Sequence, residues 1–385
     1  MLVLVVVALT VVLTVGADLA DRSMNHVVTA GPYAASPAAE SLLRAIEVVD
    51  LHADALLWPR DLLERHSYGH VDLPRLQDGH VALQLFSVVT KTPRGINYER
   101  NTDDTDNITL LAIAQRYPVR AWFSLRERAR WQARRLADAA ERSVKDGGVT
   151  LRLVRSGADL AALLAERRAG RPVIGALLAT EGLHPIEGRL DNLDTLAADG
   201  FRVFGLTHFF DNEVGGSAHG VDKGGLTSLG RAVVARIDSL GLLIDLAHAS
   251  PRLVDDVLGA TRRPIVVSHA GVRGTCPGPR NLSDDQLRRI AAGGGLVGIG
   301  YWDGAICEPT AAAFARAVVH AISVAGDDHI ALGSDFDGST TTPFDASGMG
   351  LVVAALQGAG LSDAQIGKVM GGNALRFLLA HLPAR

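Results

Sequence analysis

From about Ser41 to the C-terminus, apolar runs too continuous for a one-sided strand alternate with stretches of helical period. The runs are VVDLH (48–52), VALQLFSVVT (81–90), VIGALLATEG (173–182), FRVFGLTHF (201–209), LLIDLAHAS (242–250), PIVVSHAG (264–271), GLVGIGYW (295–302) and IALGSDFDG (330–338). Between them lie helix-like segments such as 110–117, 133–144, 159–168, 227–241 and 283–294. The last two end in glycine, where helices commonly stop, and Ser283 is placed to cap the second. Strands that read as buried on both faces, each followed by a helix, imply a parallel sheet. Eight of them predict a closed (β/α)8 TIM-like barrel. The rival is an open doubly wound sheet, which would bring a glycine-rich strand-to-helix turn. GGGLVGIG (293–300) lies instead before and within a strand. The length left over is assigned to loops, chiefly residues 92–150.

The first residues break this pattern. MLVLVVVALTVVLTVGA (1–17) is uncharged and almost wholly apolar. As a helix it spans roughly 25 Å, short of a hydrocarbon core of about 30 Å. With no polar face to set against a core, it reads as an export signal or an N-terminal membrane anchor rather than a buried first helix. Cleavage after Ala17 is left open. The remainder of the chain would then be exported or tethered outside the cytoplasm. Residues 18–40, rich in small, polar and proline residues, read as a linker, and 41–385 as one barrel domain. Hydrophobic residues make up 48% of the 385, enough for a sizeable core. The net charge of −4 comes with no Lys/Arg block, which argues against nucleic acid as a partner.

The strand ends carry the chemistry. His52 and Asp54 close the first strand, Glu181 the third and His208 the fourth; His248, His269 and Asp335 close the fifth, sixth and eighth. In a barrel those ends share one face. Three carboxylates and four imidazoles gathered there would repel or stay protonated without a counter-charge. A divalent cation removes that penalty, and imidazole with carboxylate is a zinc-like donor set. Two cations account for the number of ligands better than one.

The ordered motifs DLHAD (50–54), TEG (180–182), LTHFFDN (206–212), IDLAHAS (244–250), VSHAG (267–271) with RNLSD (280–284), and GSDFDG (333–338) resemble those of the membrane (renal) dipeptidase family. Those proteins are binuclear zinc metallopeptidases of the amidohydrolase-type barrels, and the resemblance runs from about Val48 to GGNALR (371–376). It implies that His52 and Asp54 bind one zinc, that His248 and His269 bind the other, and that Glu181 bridges them. His208 would contact the substrate carbonyl and the tetrahedral intermediate, Asp335 would handle the proton, and Arg280 would pair with the terminal carboxylate of a dipeptide. Manganese or cobalt are alternative metals, and the family suggests a homodimer. The implied reaction is dipeptide hydrolysis by a hydroxide bridging two metals.

Neighbouring residues have plainer readings. Asp50 and Asp245 are read as partners of the imidazoles or as buried hydrogen-bonders. Asp337, Asp211 and Glu213 are read as loop supports, and His70, His184 and His219 as surface or rim residues. Tyr301 and Trp302 either shape a pocket or pack. Cys276 and Cys307 fall in the loops after the sixth and seventh strands, adjacent in a barrel, where a bridge or two free thiols would fit. The rival functions are another amidohydrolase-type reaction on a β-lactam, lactone or nucleobase, and a non-catalytic, membrane-tethered metal binder. The His52–Asp54 pair and the Glu181 bridge favour the dipeptidase over the first; seven intact site positions weigh against the second.

Overall fold

The computed structural model describes residues 15–384. Eight parallel strands are β1 (Val48–Ala53), β2 (Val81–Val89), β3 (Val173–Glu181), β4 (Phe201–Gly205), β5 (Leu243–Asp245), β6 (Val266–Ala270), β7 (Leu296–Ile299) and β8 (Ile330–Leu332). Each pairs with the next, β8 pairs with β1, and the ring is closed. This is the predicted (β/α)8 barrel. A short strand at Thr150–Leu153 shares an edge of β3 with β4, pairing with residues 173–176.

Two apolar layers hold the barrel. Val49, Leu83, Leu177, Val203, Leu243, Val266, Leu296 and Ala331 belong to one cluster. Only an interior position joins residues from all eight strands. Leu160 and Leu163 of helix 157–168 and Phe377 and Leu378 of helix 373–381 belong to the same cluster, closing the end away from the ligand-bearing strand termini. The alternate residues face the outer helices, as with Phe86, Phe204, Val267 and Ile299. Ser283 caps helix 284–292 through a reciprocal pair with Gln286, as the sequence predicts.

Two segments differ from the sequence expectation. The stretch 92–150 is loop only as far as Asp106; helices 107–114 and 125–146 contain much of the helical segments read at 110–117 and 133–144 but extend beyond them, and helix 119–123 has no counterpart in the sequence reading. Residues 18–40, expected as a linker, lie against the barrel. Residues 15–24 are helical, and His26–Val27 pairs with Thr341–Thr342. A second helix, Pro37–Ala45, starts at a Ser36 cap. Buried Asp21 draws the first helix in, because its carboxylate receives Arg60 Nε–H at 2.7 Å. The predicted apolar leader, 1–17, lies outside the described residues except for its last three. No described helix is long and apolar enough to cross a membrane.

Candidate metal centre

Every strand-end residue singled out by sequence reaches the same mouth. Glu181, the last residue of β3, occupies the middle. Its Oε1 lies 3.6 Å from His52 Nε2, 3.2 Å from His208 Nε2, 3.0 Å from His248 Nε2 and 3.5 Å from His269 Nε2. Asp54 Oδ1 and Asp335 Oδ1 stand 3.4 and 3.9 Å from His52 Nε2. All seven side chains are buried.

Local backbone explains how they converge. The β1–β2 ladder shifts register between Asp50 and Ala53, and Asp54 opens a tight 3-10 turn. His248 and Asp335 sit three residues past β5 and β8 with positive φ of 61° and 60°, uncommon outside glycine although His and Asp adopt it more readily than most. Strain of this kind persists where surrounding contacts over-determine it. Gly182 is left-handed at φ 79°, and a Cβ there would sit 2.7 Å from His184 Nε2. That fixes a glycine directly after Glu181. Ser268 Oγ lies 2.9 Å from His269 Nδ1 and 3.4 Å from His52 Nδ1, which leaves both Nε2 atoms to face the cluster.

Charge is concentrated here. Burial opposes ionisation of Glu181, but His208 and His52 outweigh it and hold its carboxyl well below the usual range. Burial, then Glu181, pushes Asp54 well above that range. Burial pushes Asp335 up to about 7, against the pull of His52. Burial would lower His52 as well, yet Asp54 and Glu181 raise it well above an ordinary imidazole. The set therefore draws positive charge into its centre.

A cation fits that demand. Among the described residues, His52 Nε2, Asp54 Oδ1 and Glu181 Oε2 are buried without hydrogen-bond partners, which is costly unless something coordinates them. Among the described residues, three trios bring their donor atoms within 4.8 Å of one another: His52, His269 and Asp335; Glu181, His208 and His248; His52, Asp54 and Glu181. His248 and His269, paired by the sequence reading, fall in different trios, although their Nε2 atoms are 3.1 Å apart.

Arg280 lies beside the cluster. Its Nη2 donates to the His269 carbonyl at 2.7 Å, and its guanidinium stacks over Trp302 at 5.3 Å. Among the described residues it is buried with no carboxylate in ion-pair range. A desolvated, unpaired guanidinium facing a cavity is a receptor for an anion. Its loop is tied across the rim by the Cys276–Cys307 disulfide.

Other neighbours resolve as follows. Asp50 accepts from the Ser334 backbone N–H and hydroxyl and from Gln84 Nε2–H, and Asp245 accepts from the backbone N–H groups of Ala247 and Ser268. Both are buried hydrogen-bonders that hold the strand-end turns. Asp337 receives the backbone N–H groups of His70 and Val71, and Asp211 those of Ser217 and Asp222, as loop supports do. Tyr301 packs among Phe314, Phe336 and Phe344, whereas Trp302 lines the cavity.

His70, His184 and His219, expected at the surface or rim, are all buried. His70 accepts from the Asp337 N–H at 2.8 Å, and His184 stacks on Phe210. His219 is drawn in because its loop folds back. The Ser217 hydroxyl donates to the His208 carbonyl, and the Ala218 N–H donates to that of His248. Tyr98 was not singled out by sequence. It lines the cavity, its hydroxyl accepts from Trp302 Nε1–H at 3.1 Å, and Gly304 leaves room for that hydroxyl. It sits alone in a polar loop, with no periodic signal to mark it.

A closed parallel barrel with this donor set at its mouth has the architecture of a metal-dependent hydrolase. Which branch is settled by the sequence as a whole: residues 37–381 match the profile of the family described as Membrane dipeptidase (Peptidase family M19), and the chain belongs to that family. Dipeptidase aclJ of Aspergillus oryzae is 29% identical over 366 residues, covering 88% of this chain and 79% of its own. Two solved structures share the fold. The probable dipeptidase PvdM from Pseudomonas aeruginosa has a TM-score of 0.71 at 21% identity, covering 90% of this chain and 97% of that one. A metallo peptidase from Rhodobacter sphaeroides, liganded with a phosphinate mimic of the dipeptide L-Ala-D-Ala, has a TM-score of 0.69 at 24% identity, covering 88% and 99%.

Proposed function

We propose that this dipeptidase-family hydrolase cleaves the single peptide bond of dipeptides with two divalent cations, zinc being the first choice for the donor set. The observation that carries the reading is the position of Glu181 Oε1, within 3.0 to 3.6 Å of four imidazole nitrogens. A carboxylate so placed can serve two cations at once. His52 and Asp54 would hold one, His248 and His269 the other. Bound cations supply a water of lowered pKa and polarise the scissile carbonyl.

The chain's own groups do the rest. Arg280 grips the free carboxylate and sets the substrate's direction. Asp335, whose Oδ1 stands 3.9 Å from His52 Nε2 at the edge of the cluster, accepts the proton of the attacking water and returns it to the leaving amine. His208 donates to the oxyanion, an effect of about 3–4 kcal/mol for one well-placed donor. A lactone or nucleobase would leave Arg280 unanswered, which favours a dipeptide.

Asp335→Asn tests the proton role. The variant should keep its metal content while kcat falls by roughly 10²–10⁴. Near-normal kcat at full metal content would remove Asp335 from that role.

A further inference from the structure

The cavity above the cluster, about 700 Å³, is wider than peptide-bond chemistry alone requires. Setting aside the cluster and Arg280, no described residue lining it carries a charge. One wall is apolar and comes largely from outside the barrel. Ala17, Ala20 and Met24 of helix 15–24 face the cavity together with Trp58, Ile108 and Leu111. Ala20 and Leu111 pack on the cluster formed by Leu57, Trp58, Val89 and Ile108. The helix lies before residue 37, where the family match begins.

This wall is clamped in place. Arg60 joins Asp21 of the helix to Asp337 of the β8 loop, 2.7 Å from each carboxylate. Asn25 closes the arrangement, donating to Asp21 at 2.8 Å and accepting the Ser339 backbone N–H at 2.9 Å. These bonds hold the helix against the barrel beside the site.

Barrel order sets its place relative to Arg280. Ile108 and Leu111 pack with Leu57, Trp58 and Val89 at and just past the ends of β1 and β2, and Arg280 follows β6, four strands from β2 around an eight-strand ring. A substrate whose carboxylate is held by Arg280 presents its other end to the far wall. We propose that helix 15–24 and helix 107–114 form a specificity wall that selects dipeptides with an apolar amino-terminal side chain. This rests on the dipeptidase reading. A charged side chain would be desolvated there with no partner, whereas an aliphatic or aromatic one would be removed from water.

The test is kcat/KM of the metal-loaded full chain on Leu-Gly, Phe-Gly, Lys-Gly, Asp-Gly, Gly-Leu and Gly-Gly. Leu-Gly and Phe-Gly should exceed Lys-Gly and Asp-Gly by about 10- to 100-fold. Ala20→Asp should move the Lys-Gly to Asp-Gly ratio upward and Ala20→Lys downward, each by about tenfold; the same pair of changes at Leu111 repeats the test if one position folds poorly. A flat ranking, a preference for Gly-Leu over Leu-Gly, or a ratio that ignores the sign of the new charge overturns the wall while leaving a dipeptidase. No hydrolysis of any of the six with both cations bound overturns the wall and the dipeptidase reading together.

Discussion

Replacing Arg280 with methionine separates binding from folding more cleanly than any other change at this site. The guanidinium is buried and spends one bond, 2.7 Å, on the His269 carbonyl and one face on Trp302. Burial lowers its pKa, and Asp335 and Glu181 are its nearest compensating charges. In the folded chain alone, then, little is lost with it. A stack of this kind is worth about 1–2 kcal/mol, and removing an uncompensated buried charge offsets a similar amount. Stability should change by no more than about 1 kcal/mol. The substrate loses far more. Two charge-assisted hydrogen bonds to a carboxylate contribute about 1.5–3 kcal/mol each before overlap. A net loss of about 3–4 kcal/mol means a 10²- to 10³-fold fall in kcat/KM, chiefly through KM. The assay compares Ala-Ala with its C-terminal amide. Wild type should favour the acid by about the same factor, and Arg280→Met should bring the ratio close to one. Equal rates on acid and amide in the wild type, or discrimination that survives in Arg280→Met, would refute the assignment.

The rim and the second layer make their own predictions. Cys276 and Cys307 close a loop of 31 residues that carries Arg280, so changing both to serine should cost about 3–4 kcal/mol in urea unfolding and raise KM; unchanged stability and KM would remove the bridge from both roles. Burial, with His208 and Lys91, holds the His184 imidazole down to about 3. The unfolded chain therefore takes up a proton there first, and stability present above about pH 6.5 is lost as pH falls toward 3, at about 1.4 kcal/mol per pH unit. His184→Leu should flatten the acid limb of stability between pH 6.5 and 5 by about 2 kcal/mol, and an unaltered slope would contradict a neutral buried imidazole.

How much of this the sequence disclosed depended on the kind of order involved. The barrel was legible because both faces of each strand are buried, leaving runs such as VIGALLATEG unbroken by polar alternation. The cluster was legible because parallel strands end on one face, so His52, Glu181, His208, His248, His269 and Asp335 had to meet if the barrel closed. What escaped was order held by single long-range contacts. Residues 18–24 look like a polar linker, and long-range contacts fix them: Asp21 with Arg60, 39 residues away, and Asp18 with the Tyr68 hydroxyl. His219 and Tyr98 sit in loops without period, and their placement depends on backbone contacts such as the His219 Nδ1 to Tyr98 carbonyl hydrogen bond at 2.8 Å. Within 92–150 the helical period was legible at 133–144, but the first turns of helix 125–146 escaped because the face buried there is Glu127, Arg128, Ala129 and Gln132 rather than an apolar stripe.

The most direct measurement is to strip the chain of metal, restore zinc in steps, and follow dipeptide hydrolysis against cations bound per chain. Turnover that climbs to a maximum at two cations, and that Glu181→Gln abolishes together with the uptake of the second, is the predicted result. Full activity with one cation or none, or two cations bound by Glu181→Gln as tightly as by wild type, would contradict the account.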